Sequence, residues 1–478
     1  MKSKKLLIIT YYFPPSGGSG VLRIVRLLGN IRPLGWRPYV LTIDARDLDK
    51  IAYGTINRDE SFAGIERDLE ILRVRSYRPS YVLSMFGRPV KRAFVAARSR
   101  FRRAPGDRPR AAAPVGRGAS GGPPPECVAP PGASSGKALA SLSGRAGRFF
   151  IDSIMITDQL LEWTVPAVSR GIPFVRRNDL PYLFSSSPPW SAHLIALLLK
   201  RLCRKKWIMD LRDPIYGIAG DGRKSRSSML VESFNRSLER LLIRNADVVV
   251  CNCEEIREYY RRRYGKTRFE VIMNSFDRSD FPPDVERRER TDKITIRYVG
   301  ELYETIRTPD AFLTAAAELL REEPALRNRL SIAFTGDRRY VHLPAFRDLC
   351  AALDLGTNVQ AEGYVPHRDA ITKMLDADAL LLLQPHESTR YQIPAKLFEY
   401  IAAGNPIIAI APAGSATFNI IERHGLGAVN DPGDTAGIKR SIRDAIAGNV
   451  PRPSQAAVEE FSAERMTEKL VDILESLQ

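Results

Sequence analysis

Cysteine and histidine are scarce in this chain. Five cysteines (Cys127, Cys203, Cys251, Cys253 and Cys350) are scattered through 478 residues, and none forms a C-x-x-C pair. That spacing argues against a zinc framework. The five histidines (His193, His342, His367, His386 and His424) are dispersed without metal-ligand spacing. No bound metal is expected. Isolated thiols fit a reducing cytoplasm. Cys251 and Cys253 follow "ADVVV" and read as core or loop thiols at a strand end. Long apolar runs are absent too. No stretch reaches the roughly 18 apolar residues that a membrane span needs. "MKSKKLLIITYYFPP" sets lysines before an apolar run, as a signal peptide would. The run is short, prolines interrupt it and no small-residue cleavage site follows, so a first buried strand is expected.

Positive charge is plentiful but uneven. The net charge is +17. Arg88 to Arg148 holds thirteen Lys/Arg against two Asp/Glu, so eleven of those net charges lie in one segment. The rest of the chain is only mildly basic. Within that segment, residues 100–147 are rich in Gly, Pro, Ala and Arg and nearly lack large apolar side chains. Such a composition cannot bury enough surface to order itself, and a disordered insertion is expected. It suits contact with an anionic membrane. Nucleic acid is disfavoured because aromatics are not interleaved with the basic residues.

Elsewhere, apolar strand-like runs alternate with helical patterns. "KLLIITYYF", "WRPYVLTID", "YLFSSS", "WIMDLRD", "ADVVVCN" and "FEVIMNS" form a first series. "ITIRYVGEL", "LSIAFTGD", "VQAEGYV", "ALLLLQP", "PIIAIA" and "GAVND" form a second. Two doubly wound α/β domains with parallel sheets are expected. The proposed division is a first domain over residues 1–280, a linker over 281–292 and a second domain over 293–455. The last helical stretch, 456–478, would pack near the domain junction.

Four short stretches carry chemistry. In "YYFPPSGGSG", Gly17, Gly18 and Gly20 lie between a strand and a helix, where backbone and helix start can face an anion. A dinucleotide fingerprint fails, because Arg23 stands where Gly or Ala is needed. In "YVGELYETIRTPD", Arg307 follows the strand-end Gly300 and suits bidentate phosphate contact. "FTGD" places Gly336 and Asp337 at a strand-to-loop turn. In "IPAKLFEYIAAGNPIIAI", Lys396 and Glu399 sit three apart on one helix face, with Leu397 between them. That helix start suits a ligand with an anionic end and a hydroxylated end. Each stretch has a plainer reading as a turn or a surface ion pair. His193 reads either as a structural histidine or as a donor contact. Asp210, Arg212 and Asp213 in "WIMDLRDP" read as a structural Arg–Asp network.

These pieces, in this order, resemble the family 4 glycosyltransferases, retaining enzymes of the GT-B fold. "SSSPPWSAHL", "NADVVV", "EGYVPHRDAI" and "DADALLLL" belong to the same match. The "SPP", "LRDP" and "AKLFEY" forms look most like a subgroup that builds bacterial surface polysaccharides. The resemblance implies two Rossmann-like domains facing a cleft and a nucleotide-sugar held mainly by the second. Arg307 would contact the diphosphate and Glu399 the ribose. Gly336, Asp337, Tyr364, Lys396 and Leu397 would surround the donor, with Gly18 and Gly20 facing its phosphates. Arg307, His193 and Ser187 are the catalytic candidates. The family's first basic residue is Glu301 here, and its first motif glutamate falls at Tyr391, with Glu387 nearby. No cofactor or metal is implied beyond the donor. The acceptor would be a glycan or a sugar on a lipid carrier at the inner membrane face. A soluble small-molecule acceptor, or an inactive binding module, is the alternative.

Overall fold

The computed structural model describes residues 4–48, 66, 69–76, 161–213, 229–281, 292–303 and 306–478. The basic Gly/Pro/Ala-rich segment, and all but Phe281 and Asp292 of the linker, lie outside the described residues.

Among the described residues the chain forms two parallel sheets. The first has seven strands in the order β3-β2-β1-β4-β5-β6-β7. They are β1 Lys5–Ile9, β2 Arg37–Ile43, β3 Glu70–Val74, β4 Tyr182–Ser186, β5 Lys206–Leu211, β6 Val248–Cys251 and β7 Phe269–Val271. The second has six, in the order β10-β9-β8-β11-β12-β13. They are β8 Ile294–Val299, β9 Leu330–Thr335, β10 Val359–Gly363, β11 Ala379–Leu383, β12 Ile407–Ile410 and β13 Gly427–Asn430. The order reverses at β1/β4 in one sheet and at β8/β11 in the other. In open α/β sheets, ligands bind beyond the strand carboxyl ends at such reversals.

The central strands read as continuous apolar runs because helices cover both faces. Every residue of β11 and β12 is buried. Each such Leu or Ile contributes roughly 1.5–3 kcal/mol by leaving water. The edge strand β3 is only partly buried. Sequence reading missed it, because an edge strand lacks that unbroken apolar signature. Cys251 and Cys253 are buried and free, and burial pushes both thiols well above the usual range.

The C-terminal helix Ala463–Ser476 packs against helix Ser19–Ile31 beside the first sheet. The Ala463 amide donates to the Phe276 carbonyl at 2.9 Å. Lys4 Nζ reaches Glu475 at 2.8 Å. The chain thus ends on the domain from which it started.

Candidate functional site

Three loops at the carboxyl ends of β8 and β9 and before helix Lys396–Ala403 converge on one spot. Gly300 follows β8 with φ +113° and Gly336 follows β9 with φ +91°. A Cβ on Gly336 would stand 3.1 Å from the Gly300 amide nitrogen. A Cβ on Gly300 would stand 2.8 Å from Lys396 Nζ. Both positions need glycine, for their backbone angles and for their closeness.

Lys396 is the first residue of its helix, which has no side-chain cap. Its Nζ is buried, makes no hydrogen bond to a described residue and lies 3.9 Å from the centre of the Tyr298 ring. Burial, and after it the charge of Arg307, holds its pKa well below the usual ammonium value. Glu399, Asp337 and Glu301 pull the other way. Arg307 is anchored by a hydrogen bond from Nε to Gln384 Oε1 at 3.1 Å, and its guanidinium faces the Tyr303 ring.

Glu399 does not pair with Lys396. Its Oε1 accepts from Arg26 Nη2 at 3.3 Å and lies 3.4 Å from His367 Nε2. Burial raises the carboxyl pKa, but the His367 bond and the Arg26 charge outweigh it and leave it below the usual range. The same bond raises the pKa of His367. Arg26 also holds Asp280 at 3.1 Å and the Ser275 carbonyl. It thereby joins helix Ser19–Ile31, the segment after β7 and helix Lys396–Ala403. Sequence reading missed Arg26 and His367. Nothing local marks a partner 373 positions away.

Several expected donor contacts have other occupations. The Asp337 carboxylate accepts from the amides of Leu302 (2.7 Å), Arg339 and Val341 (3.0 Å each). It fixes the turn and has little capacity left for a ligand. The Leu397 side chain is core, and its amide already donates to the Pro394 carbonyl. Tyr364 is 57% exposed, with the Arg338 guanidinium 3.7 Å from its ring centre. That pair is free to meet an aromatic base.

On the first sheet, Gly18 starts its helix at φ +106°, without a side-chain cap. Gly20 has a protein reason for being glycine: a Cβ there would stand 2.6 Å from Arg212 Nη1. Asp210 pairs with Arg23, not with Arg212. Arg23 Nε and Nη2 reach its two carboxylate oxygens at 3.0 and 2.7 Å, and Ser186 Oγ donates at 2.7 Å. The residue that breaks the dinucleotide fingerprint is therefore half of a buried ion pair.

His193 and Ser187, the other two catalytic candidates, are both buried beside the ends of β4 and β5. His193 is fully buried, with Nδ1 at 2.7 Å from Ser185 Oγ, and burial pushes its pKa down to about 3. Burial thus favours the neutral imidazole, and Nε2 has no hydrogen-bond partner among the described residues. Ser187 is buried as well, and its Oγ and amide both point to the Asp210 carbonyl. Tyr391 packs edge-on against Tyr259, with ring centres 6.2 Å apart.

Comparison with known proteins adds the following. Residues 20–275 match the family model of the glycosyl transferase 4-like domain, and residues 293–447 match that of glycosyl transferases group 1. D-inositol 3-phosphate glycosyltransferase of Geodermatophilus obscurus is 26% identical over 253 residues, or 49% of this chain and 53% of that protein. The protein of that name from Kineococcus radiotolerans is 27% identical over 232 residues, 46% and 50% of the two chains. The chain thus spans about half the length of these curated relatives. Sucrose-phosphate synthase from Thermosynechococcus elongatus superposes with a TM-score of 0.56 at 14% identity, covering 100% of this chain and 99% of the other. Anabaena HepE, solved in complex with UDP, gives 0.58 at 12% identity, covering 99% and 100%. These likenesses show a common GT-B fold.

Proposed function

The chain belongs to the glycosyl transferase 4-like family, and from that premise we propose that it transfers a sugar from a nucleotide-diphosphate donor with retention of configuration. The observation that carries this reading is the convergence of Gly300, Gly336, Arg307 and Lys396 at the sheet reversal, next to the Glu399 carboxylate. Residues 293–455 would hold the donor and residues 1–280 the acceptor. Arg307 and the uncapped helix start at Lys396 would neutralise the leaving diphosphate. Glu399 would accept hydrogen bonds from the ribose hydroxyls, and Tyr364 with Arg338 would meet the base. No metal is needed for that charge balance, so transfer should survive EDTA.

The acceptor is read as a glycan or lipid-linked sugar of surface polysaccharide synthesis, on the strength of the "SPP", "LRDP" and "AKLFEY" forms. The basic segment would then hold the enzyme peripherally at the inner membrane face, at about 1 kcal/mol per basic residue near anionic lipid. The names of the curated relatives favour a second reading, a small phosphorylated polyol acceptor. A donor panel of UDP-, GDP-, ADP- and dTDP-sugars, read by nucleoside diphosphate release, tests the reaction. No release with any donor, across lipid-extract and inositol-phosphate acceptors, would refute it. Pelleting with anionic vesicles, before and after deletion of residues 102–140, separates the two acceptor readings.

A further inference from the structure

A diphosphate leaving group brings at least two negative charges, and a single arginine does not balance them. Around the Gly300 turn the obvious second cation is missing, because the residue after the glycine is the acidic, exposed Glu301. Among the described residues, one other cation reaches the turn. Lys396 comes from a different element and ends with its Nζ against Gly300, over the Tyr298 ring. It is buried, and among the described residues it has no hydrogen-bond partner. A cation placed so has lost its water without gaining an anion, an arrangement that disfavours its charge until an anion arrives.

Resting on the donor reading above, we infer that Lys396 is the second cation of the diphosphate site and that it takes up one proton from solvent as the diphosphate binds. The groups facing it fit this role. From the β8 side come Tyr298, Glu301 and Arg307; from the β9 turn comes Asp337; from its own helix comes Glu399. Asp337 is committed to three backbone amides and Glu399 to Arg26 and His367. Neither carboxylate forms an ion pair with Lys396. In the empty site, desolvation and then the charge of Arg307 both disfavour the ammonium form. A diphosphate beside Gly300 reverses the local field, and the amine becomes an ammonium. The proton balance is simple: one proton leaves the buffer and joins Nζ, and no bond of the ligand changes. Charge thus appears only when an anion is there to use it.

The test is calorimetric titration of the full chain with UDP, GDP, ADP and dTDP at pH 7.5, in two buffers of different ionisation enthalpy (PIPES and Tris). The bound diphosphate should bring uptake of roughly half a proton or more. Lys396→Met should abolish that uptake and weaken binding about tenfold or more. Adding Glu301→Arg to that variant should restore affinity without restoring proton uptake, because arginine is already charged. Circular dichroism checks that the variants fold. If Lys396→Met fails to fold, the two-buffer measurement on the unaltered chain still decides. Binding with identical heats in both buffers would overturn the inference and leave the donor reading standing. Binding by none of the four diphosphates would remove both.

Discussion

Replacing Arg23 with methionine should cost the first domain about 3–5 kcal/mol, because it strands a buried charge. Arg23 makes four hydrogen bonds. Two go to Asp210, one to the Met273 carbonyl at 2.7 Å and one to the Ile272 carbonyl at 2.9 Å. Asp210 is 0% exposed. Removing one member of such a pair typically loses about 3–5 kcal/mol, since the remaining charge keeps its desolvation cost. The two abandoned carbonyls place the expected loss toward the upper end. Asp210→Asn on top of Arg23→Met removes the stranded charge while keeping a partner for Ser186. The double variant should therefore be more stable than Arg23→Met alone, by about 1–3 kcal/mol. Urea unfolding at pH 8, followed by tryptophan fluorescence, measures this directly. The four tryptophans (Trp36, Trp163, Trp190 and Trp207) all precede the second sheet, so the signal reports the first domain. A loss below about 1 kcal/mol for Arg23→Met would refute the reasoning. So would a double variant destabilised by the sum of the two single changes.

Glu399→Ala should weaken nucleoside diphosphate binding by about 1.5–3 kcal/mol, the worth of a charged hydrogen bond; calorimetry giving an affinity within twofold of the parent contradicts the ribose contact. Arg307→Ala should lower turnover about a hundredfold while changing the melting temperature little, and Lys at that position should recover only part. An alanine variant with normal kcat removes Arg307 from the site. The His367–Glu399 pair adds a pH signature. The His367 pKa is raised by the bond to Glu399, so the stability this histidine lends is full below the usual histidine value near 6.5 and is lost as pH rises through the folded value. The stability gap between the parent and His367→Gln should therefore be wider at pH 6 than at pH 8.5; a gap that widens upward inverts the assignment.

The central strands of both sheets were legible because buried parallel strands are runs of Val, Ile and Leu with glycine or aspartate at their ends. β12, "IIAI", is the plainest case. β3 was not legible, since an edge strand such as "EILRV" has one fully buried residue and mixed polarity. In the site, the placement of Lys396 and Glu399 at a helix start was readable from Pro394 and Gly404, which is in the left-handed conformation at φ +68°. Their partners were not. Lys396 turns to Gly300, and Glu399 to Arg26 and His367, through contacts that only the fold creates. Gly20 shows the opposite error. Its smallness suggested ligand access, whereas a guanidinium brought from β5's end uses the space. His193 followed a helix start, but periodicity could not show that its face points inward onto Ser185 and Trp207.

Glu399 carries one further consequence. A carboxylate that binds ribose must be both oriented and available. Arg26 and His367 both meet Oε1, and Oε2 makes no hydrogen bond to a described residue. A carboxylate can accept about four hydrogen bonds. On the proposed donor reading, Oε2 would be left for the ribose hydroxyls, while Oε1 is held by one side chain from each domain. Arg26 would then act on the donor through Glu399, without touching it. Arg26→Ala frees the carboxylate to rotate and removes a favourable charge. Asp280 and the Ser275 carbonyl lose the same partner, so stability should fall as well. Donor-diphosphate affinity should drop about threefold to tenfold, the worth of one net hydrogen bond of about 0.5–1.5 kcal/mol. In a Glu399→Ala background, Arg26→Ala should cost affinity almost nothing, because the residue it positions is gone. Calorimetry on the four proteins of this cycle reads the coupling. If Arg26→Ala lowers affinity equally with and without Glu399, Arg26 contacts the donor itself or acts through the fold, and the positioning argument fails.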